Sequence, residues 1–203
     1  MRIITISREF GSGGRELGEL IAKKLGFAYF DREIITTVAE RSQMDEHYVE
    51  AVLDRGMFRE LHITYGHSIA HTSTITHTAR QIIEEQHKII NEIAEAGDCV
   101  IVGRNADVFL AEHEPLKLFV YATDEAKLAR CRERAPEDEH LSDKALKRSI
   151  KRINRARGRT HAFYSDIPWG DKRGYHLCVN TTDVDIEVLA NILADYAKHW
   201  FEE

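Results

Sequence analysis

A glycine-rich turn near the start of the chain separates a short apolar run from an amphipathic segment. Residues 2–7 read RIITIS, a β-branched run that is typical of a buried strand. Three glycines, Gly11, Gly13 and Gly14, follow this run, and residues 15–25 then repeat apolar side chains at helical spacing. A strand, a tight turn and a helix in this order predict the beginning of an α/β protein with a parallel sheet.

Strand and helix patterns alternate along the rest of the chain. Further strands are predicted at 28–30, 99–102, 116–121 and 175–179. Further helices are predicted at about 76–96, 125–134, 144–160 and 184–201. About five strands separated by helices predict an α/β fold of three layers, with a doubly wound parallel sheet at its centre. The 203 residues are enough for a single domain with small appended lobes.

The glycine-rich turn is suited to binding a phosphate group. Backbone N–H groups can cradle phosphate where side chains do not block it, and the N-terminus of a helix adds a favourable dipole. Aligned with the pattern GxxxxGK[ST], Arg8 stands at the first glycine, Gly14 at the lysine and Arg15 at the hydroxyl residue. The charge of the lysine would then come from Arg15 or Arg8, and Ser12 is the neighbouring hydroxyl. A strand–helix turn without a ligand is the alternative.

Five segments resemble the cytidylate-kinase-like family, in the nucleoside monophosphate kinase branch of the P-loop kinases. They are ITISREFGSGGRELG at 4–18, AYFDREII at 28–35, VGRNAD at 102–107, INRARGRTHAFYSDIPWGD at 153–171 and YHLCVNT at 175–181. They occur in the order of the family and span nearly the whole chain. The turn of this chain lacks the lysine that cytidylate kinases keep there.

The resemblance implies a P-loop NTPase fold with a helical acceptor lobe at 41–87 and a lid at 141–174. It implies phosphoryl transfer from ATP, with Mg²⁺, to a nucleoside monophosphate such as CMP or a similar small phosphorylated acceptor. The residues expected to bind the phosphates of the nucleotide are Arg8, Gly11, Ser12, Gly13, Gly14, Arg15 and Glu16. The residues expected to bind the acceptor are Asp31, Arg104 and Arg130. The expected catalytic residues are Arg15, Arg155 and Arg159.

Arginines occur where a phosphoryl-transfer site would need them, because such a site mainly positions anions and neutralises charge. Arg104 follows a buried strand, at the edge of the sheet where open α/β folds bind ligands. Seven of the thirteen residues at 147–159 are basic. Arg148, Arg152, Arg155 and Arg159 have the spacing of one helical face. That face would grip an anion, or it would be solvated and paired with the acidic residues 137–139.

Three other groups of residues allow more than one interpretation. Asp31 would bind the acceptor or cap the helix that follows it. His62, His67, His71, His77 and His87 form no motif with a cysteine or carboxylate, so we predict no metal site in this His-rich region. Asp107, Asp166 and Asp171 are weaker candidates for the site, and Trp169 would pack under the lid or stack on a base.

Composition narrows the class of protein. A formal net charge of −6 gives no reason to expect a nucleic-acid or membrane partner, and no apolar run approaches the roughly 20 residues of a membrane span. The first residues carry no leader pattern, and the three cysteines have no zinc spacing, so a cytoplasmic protein with reduced thiols is expected. The C-terminal helix docks on the core or on a partner, which leaves a homodimer open.

Two other functions remain as alternatives. The first is a nucleotide-binding protein of the same fold without kinase activity, because the lysine and the hydroxyl of the standard pattern are missing. The second is an RNA-binding module that uses the basic residues 147–159. The acidic net charge and the lack of interleaved aromatic residues count against RNA.

Overall fold

The protein is built on a single parallel sheet. The computed structural model describes residues 1–55, 69–135 and 141–202, and the side chains at 54–55 and 69–76 lie outside this description. The strands are β1 (Ile3–Arg8), β2 (Ala28–Phe30), β3 (Cys99–Val102), β4 (Leu116–Tyr121) and β5 (Leu177–Asn180). Their order is β2-β3-β1-β4-β5, and every neighbouring pair is parallel. The predicted α/β fold with its doubly wound sheet is confirmed.

Helices cover both faces of the sheet. They are α1 (Gly14–Leu25), α2 (Glu33–Ser42), α3 (Glu46–Arg55), α4 (Ile69–Ala96), α5 (Ala106–Phe109), α6 (Asp124–Glu133), α7 (Asp143–His161) and α8 (Ile186–Glu202). Short 3₁₀ turns lie at Ala111–His113 and Lys172–Gly174. None of the helices in the described part of the chain is long and apolar enough to cross a membrane.

The alternation of side chains along the central strands divides the core into two clusters. On β3, Cys99 and Ile101 face one cluster, whereas Val100 and Val102 face the other. The first cluster contains apolar residues of α2, α3, α4 and α5, and the second contains those of α1 and α8. The central strands β1, β3 and β4 are therefore largely buried on both faces, as expected of a parallel sheet between two helical layers.

The C-terminal helix α8 docks on the core of its own chain. Ile186, Ala190 and Leu193 belong to the cluster that α1 also contacts. Beyond them, Trp200 packs against His176, with ring centroids 4.4 Å apart. Val188 and Ile192 on the outer face of α8 are exposed. Of the two predictions for this helix, docking on the core or on a partner, its contacts within the chain agree with docking on the core.

Two elements differ in extent from the pattern-based prediction. The helix α4 begins at Ile69, several residues before the predicted start at 76, because polar and β-branched residues there hide the helical pattern. The strand β5 begins at Leu177 rather than at Tyr175. The N–H of Tyr175 donates to the carbonyl oxygen of Lys172, so Tyr175 ends the preceding 3₁₀ turn.

Two helical glycines provide a test of how closely α1 packs against the sheet. A Cβ added to Gly18 in α1 would lie 2.7 Å from Cγ2 of Val102, so α1 approaches the sheet as closely as only glycine permits. We expect Gly18→Ala to lower the free energy of unfolding by about 1–3 kcal/mol because it overpacks the core. Chemical denaturation of both proteins measures the difference.

Gly158 in α7 is the matched control, since a Cβ there would meet its nearest atom only at 3.8 Å. Gly158→Ala should raise the free energy of unfolding by about 0.4–1 kcal/mol, because alanine loses less backbone entropy on folding. Equal effects of the two substitutions would contradict the close contact between α1 and β3.

Candidate active site

The glycine-rich loop joins the end of β1 to the beginning of α1. Gly13 precedes the helix with a φ of 81°, a left-handed conformation that glycine adopts without strain. The loop leads into the first turn of α1, whose N–H groups have no acceptor within the helix. These N–H groups and the dipole of α1 form a site suited to a phosphate. The predicted phosphate-binding residues from Gly11 to Arg15 lie together here.

Ser12 holds the loop through an internal contact, and Glu9 ties the loop to α6. The Oγ of Ser12 donates to the carbonyl oxygen of Glu9 at 2.9 Å, and Ser12 is fully buried. A carboxylate oxygen of Glu9 accepts a hydrogen bond from Nζ of Lys127 at 2.8 Å. The hydroxyl of Ser12 therefore stabilises the loop itself.

Arg130 braces the loop from the side of β4 and β5. Its Nη1 donates to the carbonyl oxygen of Ser12 at 3.4 Å and to Oγ1 of Thr181 at 3.1 Å, and its Nη2 donates to the carbonyl oxygen of Thr181. The hydroxyl of Thr181 donates to the same Ser12 carbonyl at 2.6 Å. The sequence predicts Arg130 as an acceptor-binding residue, and its contacts in the structure are with the loop and with Thr181 after β5.

Asp31 lies between two arginines that flank the loop. Its Oδ1 accepts a hydrogen bond from Nη2 of Arg8 at 3.1 Å, and its Oδ2 accepts one from Nε of Arg15. The side chain of Asp31 is 4% exposed, that of Arg8 is 12% exposed and that of Arg15 is 62% exposed. The capping interpretation of Asp31 is wrong, because Arg32 occupies the cap of α2 and no side chain caps this helix.

The side chain of Arg8 runs through the centre of the site. A Cβ added to Gly14 would lie 2.6 Å from Cβ of Arg8, and one added to Gly103 would lie 1.7 Å from Nη1 of Arg8. Burial lowers the pKa of Arg8, and Arg104 and Arg15 lower it further, whereas Asp31 opposes the change. Arg8 therefore lies close to two other positive charges, those of Arg15 and Arg104, and Asp31 is its hydrogen-bonded counter-charge.

The backbone after β3 is held in an uncommon conformation. Gly103, Arg104 and Asn105 have φ values of 77°, 60° and 56°, all in the left-handed region. Non-glycine residues adopt this region at a cost, and such residues cluster at functional sites. The side-chain amide of Gln86 donates to the carbonyl oxygen of Arg104 at 3.2 Å and helps to hold the turn. Arg104 is thereby fixed at the edge of the sheet, where the sequence predicted it.

A cavity of about 510 Å³ opens at this edge of the sheet. Residues on either side of the loop glycines (Ser7, Arg8, Phe10 and Arg15) and the turn after β3 form its floor. Helices α3 and α4 form one wall, and α7 with the segment after it forms the other. Five arginines line it, namely Arg8, Arg15, Arg104, Arg157 and Arg159. Its other lining residues are Ser7, Phe10, Glu50, Val52, Leu53, Ile83, Gln86, Gly103, Asn105, Ile153, Thr160, Phe163, Tyr164 and Trp169. The cavity is strongly cationic on its floor and mostly apolar on its walls.

Helix α7 contributes a different pair of arginines from the predicted one. Arg159 lines the cavity as expected, whereas Arg155 is exposed and is not among the described lining residues. Arg157 replaces it, and its Nη1 donates to the carbonyl oxygen of Arg8 at 3.0 Å. The signal for Arg157 was its helical spacing from the buried Ile150 and the cavity-lining Ile153, which mark the inward face of α7.

Several other candidates have structural partners. Asp107 pairs with His161 at 3.2 Å in the core, and Asp171 pairs with Arg173 at 2.7 Å. Asp166 is exposed. Glu16, a predicted phosphate-binding residue, forms an ion pair with Arg134. Trp169 lines the cavity and packs edge-on against Phe119, with ring centroids 5.1 Å apart.

Other predictions fall on side chains and residues outside the part of the chain that the structure describes. The side chains of His62, His67 and His71 and the acidic residues 137–139 belong to this group. Among the described residues, no cluster of three or more His, Cys, Asp or Glu side chains is arranged to hold a metal ion.

The loop fits the phosphates of a nucleotide better than it fits a metal bound by the protein alone. Glycines with positive φ and a helix N-terminus match a phosphate chain. The usual hydroxyl ligand of Mg²⁺ is replaced by Arg15, and the buried Asp31 already pairs with two arginines. Mg²⁺ would therefore be held mainly by the nucleotide phosphates and by water, as this ion commonly is.

Comparisons with known proteins identify the family and agree with the fold. Residues 3–183 match the family model described as the cytidylate kinase-like family. An uncharacterized protein from Eubacterium ventriosum is 23% identical, with a TM-score of 0.71 over 98% of this chain and 99% of that one. No curated protein has significant sequence similarity to the chain.

Two shikimate kinases also share the fold. The enzyme from Bacteroides thetaiotaomicron is 18% identical, with a TM-score of 0.57 over 97% of this chain and 98% of its own. The enzyme from Acinetobacter baumannii, solved in complex with shikimate, is 12% identical, with a TM-score of 0.51 over 95% and 90% of the two chains.

The pairing of Asp31 with the two arginines can be tested through stability. We expect Asp31→Asn to lower the free energy of unfolding by about 3–5 kcal/mol, because it leaves the buried guanidinium of Arg8 without its counter-charge. Arg15 should add little to this loss, since its side chain is mostly exposed to water. Chemical denaturation at neutral pH measures the change.

Asp171→Asn is the matched control. Hydrogen bonds from Arg173 lower the pKa of Asp171 to about 2, but the Arg173 side chain is 71% exposed. Asparagine can also keep the hydrogen bond that Asp171 accepts from the N–H of Arg173. This variant should therefore unfold almost like the parent protein, and a large loss would contradict the distinction between the two pairs.

Proposed function

Because this chain belongs to the cytidylate kinase-like family and has the fold of P-loop kinases, we propose that it transfers a phosphoryl group from ATP to a nucleoside monophosphate or a similar small phosphorylated acceptor. The acceptor we favour is CMP-like. The observation that carries the proposal is the cavity at the end of β1 and β3, which five arginines line beside the glycine-rich loop.

The balance of charge in the cavity supports two anionic substrates. Among the described residues that line the cavity, Glu50 is the one acidic residue. Asp31, which pairs with Arg8 and Arg15, neutralises only part of the arginine charge. Phosphoryl transfer brings two anions together and needs such an excess of positive charge. Guanidinium groups suit this task, because they bind phosphate oxygens in a planar, bidentate geometry.

Each side of the cavity has a proposed task. The loop and α1 hold the phosphates of ATP, and Arg104 binds the phosphate of the acceptor from its fixed turn after β3. The segment 41–87, with α3 and α4, forms the acceptor lobe, and the segment 141–174, with Arg157 and Arg159, forms the lid. Mg²⁺ bound with ATP would neutralise charge between the donor phosphates.

The walls of the cavity suit the rest of a nucleotide. Val52, Leu53 and Ile83 on the side of the acceptor lobe present apolar surface, while Phe163 and Tyr164 on the lid side add aromatic rings. A flat base can pack between such surfaces, and its polar edge can meet Glu50 or Gln86. The cavity therefore combines a cationic end for phosphate with a less polar end for a base.

The proposal is tested by measuring ADP formation with a panel of acceptors. The panel contains the common ribonucleoside and deoxyribonucleoside monophosphates, with shikimate included because shikimate kinases share the fold. We expect at least one monophosphate, CMP first, to stimulate ADP formation over the rate with ATP alone. Calorimetry with MgATP is run in parallel.

ATP binding without stimulation by any monophosphate would contradict the proposed kinase. That result would instead support a nucleotide-binding protein of the same fold. Stimulation by shikimate alone would keep phosphoryl transfer but overturn the phosphorylated acceptor.

The two arginines expected at the acceptor can be separated by kinetics. Arg104→Ala should raise the KM for the acceptor about 10- to 100-fold, since it removes a charge-assisted contact to phosphate. Arg130→Ala should mainly weaken ATP binding, because Arg130 braces the loop at Ser12. Initial rates with each substrate varied in turn measure both effects.

Arg80→Ala serves as the control, since Arg80 is 77% exposed on α4 and pairs only with Glu84 among the described residues. Its rates should match those of the parent protein. A larger acceptor KM in Arg130→Ala than in Arg104→Ala would reverse the assignment of the two arginines.

A further inference from the structure

Gly14 occupies the lysine position of the phosphate-loop pattern, and the structure explains why no side chain can stand there. A Cβ at position 14 would lie 2.6 Å from Cβ of Arg8, 3.1 Å from its Cγ and 3.2 Å from Cβ of Val120. Real Cβ atoms do not approach other carbon atoms at the first of these distances. The space that the first side-chain carbon at position 14 would need is therefore already taken by Arg8.

Arg8 extends from this point into the cavity. Its guanidinium lies against Gly103 at the end of β3, donates from Nη2 to Asp31 and lines the cavity floor. A guanidinium has five N–H donors in a fixed plane, so one bond to Asp31 leaves other donors for a phosphate. The charge of Arg8 is thus delivered beside the loop, between β1 and β3.

We propose that Arg8 takes the place of the missing lysine, so that the charge on the transferred phosphate is neutralised from the first position of the loop instead of the seventh. The two arrangements exclude each other sterically, because Arg8 and a side chain at position 14 would use the same space. The phosphate ligand in this proposal rests on the proposed function, whereas the steric exclusion does not.

Arg15 is the other candidate for the missing charge, and its geometry differs. Its side chain is 62% exposed, and its Nε is bound to Asp31 from the solvent side. The atoms that crowd a Cβ at Gly14 belong to Arg8 and Val120, and those that crowd a Cβ at Gly103 all belong to Arg8. A substitution at Arg15 should therefore leave the conflict at position 14 unchanged.

A double-substitution experiment tests the proposal. The variants are Arg8→Gly, Gly14→Lys and the two combined, with Arg15→Ala alone and combined with Gly14→Lys as the matched control. Each apo protein is unfolded by heat, and its affinities for MgATP and for inorganic pyrophosphate are measured by calorimetry. Arg8→Met, which keeps the volume near Gly14 but removes the charge, supplies the same binding result if Arg8→Gly fails to fold.

We expect Gly14→Lys alone to lower the unfolding temperature by about 5 °C, because it overpacks the loop. Because the two side chains compete for one space, the double variant with Arg8→Gly should lose clearly less than the sum of the two single losses, whereas Gly14→Lys combined with Arg15→Ala should lose their sum. Arg8→Gly or Arg8→Met alone should weaken MgATP binding about tenfold or more, as expected for the loss of a charge-assisted hydrogen bond. The double variant with Gly14→Lys should bind MgATP more tightly than Arg8→Gly.

Three results would overturn the proposal. The first is MgATP affinity in Arg8→Gly and Arg8→Met equal to that of the parent protein. The second is a double variant whose losses are the sum of the single losses, and the third is a parent protein that binds neither probe. The third result also defeats the proposed function, whereas probe binding without phosphoryl transfer defeats the proposed function alone.

Discussion

The carboxylate of Asp31 is the interaction on which the geometry of the site depends. Arg8 is buried at the end of β1, and taking a guanidinium out of water costs several kcal/mol unless an acceptor meets it. Asp31 supplies that acceptor from the end of β2, two strands away in the sheet, and it also holds Arg15 at the start of α1. One side chain thus connects both ends of the loop to the edge of the sheet.

This connection leaves the site with a surplus of positive charge. Asp31 balances one arginine, while Arg104, Arg157 and Arg159 reach the cavity from two other elements. The net charge of the whole chain is −6, so the cavity has the opposite sign to the protein that surrounds it. A concave cationic site attracts small anions that fit inside it. The acidic surface around the site repels a long polyanion that would extend beyond it. This contrast is a physical reason to prefer a nucleotide over RNA as the partner.

The sequence predicted the elements that depend on local patterns. Apolar runs and glycines revealed the strands and the loop, and position after a buried strand placed Arg104 at the cavity. The contacts of α7 were less predictable, because Arg155 and Arg157 lie in the same basic run and only the apolar Ile150 and Ile153 distinguish their faces. The contacts of Arg130 could not be predicted for another reason. Its partners Ser12 and Thr181 are far from it in sequence, and no periodicity reports such contacts.

The glycines of the loop also show why a linear pattern can misjudge such a site. Gly13 is required by its positive φ, whereas Gly14 is required by the side chain of Arg8. A linear pattern counts Gly13 as a match and Gly14 as a mismatch at the lysine position, and it takes no account of these reasons. In three dimensions part of the volume that a side chain there would need is taken by Arg8, a cation that enters from the strand instead of the helix. The charge of a phosphate site is a property of that volume, so a departure at one position has to be weighed together with the residue that takes its space.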